Sequence, residues 1–267
     1  MDNSDIGYEI TYTKEPGHAT ELAAEAANKE YTAVVAIGGD GSVNETSRGL
    51  VNTSTALGII PTGSGNGFAR HVGIPLKTTK ALKVICDSHT VKADTARLNG
   101  NLFISTAGVG FDAHISKAFA NFRKRGFLSY IRLVAREYRH FPPKSFSLKV
   151  DDNNMHCKAM IVAIANVAQY GNGAQIAPGA NCYDGLLDVV ILKKVPSHSL
   201  PLMLYRLFNA RLNASSDYFS TIQGKHIQII QDDEIAQIDG EVIISGKKIE
   251  IEIDPLSLNI VVPNPDK

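Results

Sequence analysis

Two short apolar runs, each ending in a glycine-rich turn, constrain this chain more than any other feature. Residues 33–37 are continuous, apolar and rich in β-branched side chains, the pattern of a strand buried on both faces of a parallel sheet. The run stops at Gly38-Gly39-Asp40-Gly41, after which Val43, Thr46, Ser47 and Leu50 repeat at helical spacing. The glycines therefore mark a strand-to-helix junction, where first-turn N–H groups lack intrahelical partners and favour an anion. Glycines let a large polyanion approach the backbone, and Asp40 among them fits a phosphate site when a metal ion or a proton transfer accompanies it.

Alone, such a turn is as readily an ordinary tight connection. A second copy of the pattern changes the reading. Residues 57–60 form another strand-like run, followed by Pro61-Thr62-Gly63-Ser64-Gly65-Asn66-Gly67 and the helical-looking Phe68-Ala69-Arg70-His71-Val72. Parallel strands that end in small-residue loops opening helices place both loops on one sheet edge, where open α/β folds bind ligands.

Composition removes several function classes. Formal net charge is +0 and the sequence pI about 7.1, so no global field argues for nucleic acid. Cys86, Cys157 and Cys182 are widely separated and lack metal-ligand spacing, which suits a reducing compartment and small buried hydrophobes. The N-terminus has neither a basic start nor an apolar core, so no signal peptide is expected. No apolar run approaches the roughly 20 residues of a membrane span. With 267 residues and 44% hydrophobic content, the chain can bury one large or two moderate cores.

In chain order, residues 8–13 alternate as a strand would, and Ala19, Leu22, Ala23 and Ala26 give the next segment a helical stripe. Residues 79–86 predict a short helix, and the pattern then turns to strands. Residues 91–98 and 102–107 flank Asn99-Gly100, a strong hairpin signal. Residues 146–150 and 158–165 predict a further hairpin, and Ile249, Ile251 and Ile253 set a period-two run that is followed by a second one over Leu256, Leu258, Ile260 and Val262. The expected architecture is a Rossmann-like parallel α/β domain over residues 1–87, followed by an antiparallel β-sandwich-like domain over residues 88–267. Two helices interrupt the second part. One carries Phe127, Ile131, Val134, Tyr138 and Phe141 as an amphipathic stripe, and the other, over residues 199–212, repeats Leu200, Leu204 and Leu207 or Phe208. Between Lys117 and Lys144, the residues Arg123, Lys124, Arg125, Arg132, Arg136 and Arg139 stand against the single acid Glu137. This excess could attract anionic head groups, although a solvated face is favoured.

Gly38-Gly39-Asp40-Gly41-Ser42-Val43-Asn44-Glu45 and Pro61-Thr62-Gly63-Ser64-Gly65-Asn66 together resemble the diacylglycerol kinase catalytic domain family, which includes bacterial lipid kinases and sphingosine kinases. Gly108-Val109-Gly110-Phe111-Asp112, Asp184-Gly185-Leu186-Leu187-Asp188 and Asp239-Gly240-Glu241 extend the resemblance over nearly the whole sequence. Members place a further strand and a glycine-containing phosphate loop ahead of residue 8. A late start of this sequence is the favoured explanation for their absence, a shortened fold the alternative.

The resemblance implies an ATP- and Mg²⁺-dependent kinase that phosphorylates a lipid hydroxyl, diacylglycerol or a sphingoid base among the acceptors. Such a protein would be cytoplasmic and would meet its substrate peripherally at the inner membrane face. Backbone N–H groups of Gly38, Gly39, Asp40, Gly41 and Ser42, and of Gly63, Ser64, Gly65 and Asn66, are expected around the nucleotide, with Asn44 and Thr13 nearby. Asp40, Asp239 and Glu241 form the expected acidic set. Glu241 is the candidate general base and Asp40 the organiser of Mg²⁺, with the reverse assignment of the base to Asp40 left open. Asp112 is expected to contact the acceptor, and Arg123 could clamp phosphate, although surface charge is the better account of it. Asp184 through its side chain, with Asn181 and Leu186 through their carbonyls, resembles a structural Mg²⁺ site. Many bacterial members carry aspartate where this chain has Gly67, a weak pointer towards a sphingoid base or another single-hydroxyl lipid instead of diacylglycerol. An NAD kinase and a non-catalytic nucleotide- or lipid-binding protein are the alternatives. ATP against GTP and the oligomeric state, a homodimer included, stay open.

Overall fold

The computed structural model describes residues 6–120, 127–212 and 217–265. The chain divides into two compact units. One comprises Met1–Ala93 with Leu256–Lys267, the other Asp94–Pro255. The boundary read from the sequence near Asp87 and these units differ in where the C-terminus goes, because the last strand returns to the first unit.

In the first unit, α1 (His18–Asn28) precedes β1 (Ala33–Gly38), α2 (Asp40–Leu50), β2 (Ala56–Pro61), α3 (Gly67–His71) and α4 (Thr78–Asp87). β1 and β2 pair in parallel from Ala33 opposite Ala56 to Gly38 opposite Pro61. On its other side β2 takes the C-terminal strand, also parallel, with Ile260 opposite Leu57. β2 is buried along its whole length, whereas β1 is an edge strand whose Ile37 is 61% exposed. The helical stripe after the first loop is real, since Val43, Thr46, Ser47 and Leu50 all face inward. Helices α1 and α2 cross at Gly49, where a β-carbon would press 2.8 Å from that of Ala23.

The expected strand over residues 8–13 does not form. Residues 6–14 belong to no element, and Tyr8, Ile10 and Tyr12 are 65%, 64% and 83% exposed. Alternation stabilises a strand only where a neighbour satisfies its backbone groups and covers one face.

The second unit opens with β3 (Thr90–Leu98), which crosses the boundary, and β4 (Asn101–Phe103). Asn99 and Gly100 both have positive φ (46° and 82°), as a two-residue hairpin turn requires. β5 (Thr106–Gly110), α5 (Phe111–Ala120), α6 (Phe127–His140), β6 (Lys144–Val150), β7 (Asn153–Ala159), β8 (Ile161–Ala165), β9 (Gln169–Gly171), β10 (Ala174–Gln175) and β11 (Leu187–Leu192) follow. After a 3₁₀ turn come α7 (Leu200–Phe208), β12 (Phe219–Gly224), β13 (His226–Ile230), β14 (Ile235–Ile238), β15 (Glu241–Ile244) and β16 (Lys248–Val261). One sheet runs β12-β11-β8-β5-β14-β15, antiparallel throughout. In the other, β6 lies between β7 and β13, and β13 pairs with the first part of β16. Val109, Ile164, Val189 and Ile238 from one sheet and Leu148, Ile229, Ile249 and Ile251 from the other share one core, which makes this unit an antiparallel β-sandwich.

Two details of the strand reading change. The expected hairpin between residues 146–150 and 158–165 is divided. β7 pairs with β6, whereas β8 crosses to the other sheet beyond Met160, whose carbonyl accepts the Phe111 N–H at 2.7 Å. The two C-terminal runs form one strand, β16, broken in phase at Pro255 and Leu256. Leu256 sits at φ 51°, so the buried positions switch from Ile249 and Ile251 to Leu258 and Ile260.

On α6, Leu133 and Tyr138 pack with Phe111, Ile115 and Met160, while Arg132, Arg136 and Arg139 are exposed. Arg123, Lys124 and Arg125 lie outside the described residues, as does the Phe127 side chain. Among the described residues, no helix is long and apolar enough to cross a membrane.

Candidate active site

In the first unit the two glycine loops are locked backbone to backbone. A β-carbon on Gly63 would lie 2.5 Å from the Gly39 Cα, and one on Gly39 would lie 3.1 Å from the Gly63 Cα. Glycine is needed here for close approach, since neither residue has positive φ. Thr62 donates its N–H to the Gly38 carbonyl at 2.8 Å, extending the β1–β2 ladder into the loops.

Side chains complete the junction. Asp40 accepts the Gly67 N–H through Oδ1 at 2.7 Å, so the aspartate of the first loop holds the start of α3. Asn66, at φ 50°, folds its amide back on Gly63, with Nδ2 donating to the carbonyl at 2.7 Å and Oδ1 accepting the N–H at 3.0 Å. Burial raises the Asp40 carboxyl above its ordinary range, and the N–H groups at the start of α3 oppose that rise. Gly39, the N-cap of α2, has no side chain to cap the helix, and Gly41 and Ser42 just after it are exposed. Ser64 is exposed as well, whereas Asn44 is buried within α2. Thr13 is exposed and outside any element.

In the second unit, Asp112 stands in the first turn of α5. Its Oδ2 accepts from Gln237 Nε2 at 2.8 Å and from the Tyr170 hydroxyl at 3.0 Å. Burial pushes its carboxyl up to about 6 against these two donors. The glycines of Gly108-Val109-Gly110-Phe111-Asp112 serve that placement. A β-carbon on Gly108 would collide with the Asp112 carboxylate, and Gly110 turns at φ 80° with the Met160 carbonyl 2.5 Å from where its β-carbon would be.

Asp239 and Gly240, at φ 48° and 88°, form the two-residue turn between β14 and β15, with Ile238 opposite Glu241. The turn separates its two acids. Asp239 accepts the N–H groups of Ile104 (3.0 Å), Ser105 (2.9 Å) and Thr106 (2.8 Å), whereas Glu241 is exposed. Asp239 thus anchors the hairpin to the loop before β5.

In the loop before β11, Asp184 is exposed and its Oδ1 accepts the Leu186 N–H at 3.0 Å, with Asn181 also exposed. Asp94, fully buried on β3, accepts the Gly185 N–H at 2.8 Å and so fixes this loop. Its neighbour Cys182 has its thiol pushed up to about 12 by burial. Among the described residues, no three His, Cys, Asp or Glu side chains gather as a metal cluster. An exposed carboxylate on a pinned loop rich in backbone carbonyls fits an ion that keeps most of its waters, as Mg²⁺ does.

Sequence reading missed Asp94, Tyr170 and Gln237, as well as Arg70, whose Nε holds the Gly65 carbonyl at 3.0 Å. Asp94 could have been found as a charge within the β3 strand pattern. Gln237 interrupts Ile235, Ala236 and Ile238 in the same way.

Residues 1–98 match the diacylglycerol kinase catalytic domain, and residues 105–262 match the YegS C-terminal NAD kinase beta sandwich-like domain. The lipid kinase YegS of Escherichia coli K12 is 32% identical over 266 residues, covering 95% of this chain and 86% of that protein. A "Probable lipid kinase YegS-like" protein of Chromohalobacter salexigens is 34% identical over 194 residues, covering 70% of this chain and 62% of that protein. Among solved structures, a diacylglycerol kinase from Bacillus anthracis superposes with a TM-score of 0.73 at 24% identity, over 95% of this chain and 84% of that one. Yeast NADH kinase shares the fold alone, with a TM-score of 0.51 at 10% identity over 88% of this chain and 62% of that one.

Proposed function

Because the chain belongs to the diacylglycerol kinase-like family of lipid kinases, with a catalytic domain followed by a YegS-type C-terminal domain, we propose that it transfers the γ-phosphoryl group of ATP to a hydroxyl of a lipid presented at a membrane surface. The observation that carries this reading is the contact of two glycine loops at Gly39 and Gly63, with Asp40 pinning the second loop to the first. Phosphoryl transfer needs positioning and charge neutralisation more than covalent help, and a closely apposed pair of glycine loops that open helices is suited to both.

In this reading Gly38, Gly39, Gly41, Ser42, Gly63, Ser64, Gly65 and Asn66 surround the phosphates. Mg²⁺, when bound, neutralises phosphate charge. Asp40 would organise it beside the nucleotide, and Asp184, with the carbonyls of Asn181 and Leu186, would hold a structural ion. Glu241 accepts the proton of the attacking hydroxyl, since it is the exposed acid of its turn while Asp239 is committed to backbone N–H groups. Asp112 orients the acceptor.

The test is transfer of label from [γ-³²P]ATP to mixed micelles of diacylglycerol or of sphingosine, with Mg²⁺ present. Label in the lipid phase supports the proposal, and label on NAD or NADH in a parallel reaction replaces it with a nucleotide kinase. Binding of ATP with no transfer to any acceptor leaves a non-catalytic nucleotide-binding protein.

A further inference from the structure

The Gln237 side chain joins two parts of the second unit that are far apart in sequence. Its Nε2 donates to Asp112 Oδ2 at 2.8 Å, and its Oε1 accepts the Gly240 N–H at 2.8 Å. A carboxylate can only accept and a backbone N–H can only donate, so one orientation of a primary amide satisfies both. Methionine would fill the same space and bond neither. Glutamate would set a second carboxyl against Asp112.

The surroundings are shaped for this bridge. Gln237 is 1% exposed, and its cross-strand partner on β5 is Gly108. Any side chain on Gly108 would enter the space that the Asp112 carboxylate occupies and bring its β-carbon within 3.2 Å of Gln237 Nε2. Strand β14 does not need the amide to stay in place, because its backbone pairs with β5 on one side and β15 on the other. A buried polar bridge of this kind fixes one geometry, and removing it leaves the Gly240 N–H and the Asp112 carboxylate each short of a partner. The geometry fixed here is that of the turn. Asp239 is held by the loop over residues 104–106, Gly240 is held by Gln237, and Glu241 follows directly.

We propose that Gln237 is a positioning residue for phosphoryl transfer: by tying the Gly240 N–H to the Asp112 carboxyl, it holds the hairpin turn in the one arrangement that presents Glu241. The proposal rests on the reading of Glu241 as proton acceptor, and its test separates the two. Amide exchange at Gly240, followed by NMR in wild type and Gln237→Met, reports on the bridge without any turnover. Gly240 should exchange at least about tenfold faster in the variant while amides of β8 keep their protection. Label transfer from ATP to micellar diacylglycerol or sphingosine should show kcat lowered about 10- to 100-fold with KM for ATP unchanged.

A second pair of variants covers a failure of Gln237→Met to fold. Gln237→Glu keeps an acceptor for Gly240 but sets a second carboxylate against Asp112, so Gly240 protection should fall at about pH 8, where both are charged, and Gln237→Glu combined with Asp112→Asn, which reverses donor and acceptor between the two side chains, should restore it. Wild-type Gly240 exchange or wild-type kcat in Gln237→Met overturns the proposal, as does failure of the double variant to recover protection. A wild-type chain that labels no lipid overturns the kinase reading beneath it, and the exchange measurement then shows whether the bridge itself was rightly read.

Discussion

The carboxylate of Asp40 and the backbone N–H of Gly67 meet at 2.7 Å, so the acid of the first glycine loop is the acceptor that starts the helix after the second. Asp40 therefore has a structural duty in addition to any charge it offers a metal–phosphate complex. The two duties separate by substitution. Asp40→Asn keeps an oxygen for Gly67 and removes the charge, so its thermal midpoint should stay near wild type while turnover falls about 10²- to 10³-fold. Asp40→Ala should lose stability as well, by about 1–3 kcal/mol, because N–H groups at the start of α3 lose their acceptor. Equal turnover in wild type and Asp40→Asn would confine Asp40 to the structural duty.

The loops also touch at Gly39 and Gly63. Gly63→Ala would place a β-carbon 2.5 Å from the Gly39 Cα and 2.9 Å from Asn66 Oδ1, with little room for the Gly39 backbone to relax. Overpacking of this kind costs about 1–3 kcal/mol. If the loops cradle phosphates, separating them should also raise KM for ATP about tenfold or more, readable from initial rates. A Gly100→Ala control would separate glycine loss in general from loss of this contact. Gly100 has positive φ (82°) but open space around its β-carbon position, so it should cost stability and leave KM alone.

Why these loops could be read from sequence and the partners of Asp112 could not is a matter of range. The strand over residues 33–38, the glycines after it and the inward stripe of Val43, Thr46, Ser47 and Leu50 are local in sequence, and local pattern fixes them. The Asn99-Gly100 and Asp239-Gly240 turns are local too, each needing two residues with positive φ. Asp112, Tyr170 and Gln237 meet only because β5, β9 and β14 are assembled, and nothing near Gln237 in the sequence announces Asp112. The same limit explains residues 8–13, whose alternation is genuine but whose backbone finds no partner strand. It also explains β16, where a phase switch at Leu256 carries one strand from the sandwich into the first unit.

Asp112 gives a pH dependence whose sign is fixed by burial. Its carboxyl lies at about 6 in the folded chain, against an ordinary value of 3.8. A raised acid favours folding fully below the unfolded value, and that contribution is lost as pH rises through about 6. Above that range the buried charge costs up to about 3 kcal/mol. Asp112→Asn leaves a neutral oxygen for Gln237 and Tyr170, so denaturant unfolding at about pH 8 should show a more stable variant, with little difference at about pH 4. A variant less stable at the higher pH would mean that the two donors outweigh burial.

The last contrast lies within the Asp239-Gly240-Glu241 turn, where neighbouring acids have opposite surroundings. Asp239 takes three backbone N–H groups, from Ile104, Ser105 and Thr106, and returns its own N–H to the Thr106 carbonyl at 2.8 Å. Truncating it would strand three donors on buried residues, each at a cost of about 1–3 kcal/mol. Asp239→Ala should thus give a chain that folds poorly or melts far below wild type, whatever the fate of activity. Glu241 is exposed and begins β15, so Glu241→Gln should melt as wild type does. If Glu241 takes the proton of the lipid hydroxyl, the same substitution should lower kcat about 10²-fold or more with nucleotide affinity unchanged. Calorimetry and initial-rate kinetics on the two variants therefore assign the anchor and the base independently. A Glu241→Gln enzyme with wild-type kcat would return the base to Asp40, whose carboxyl burial already holds above its ordinary range.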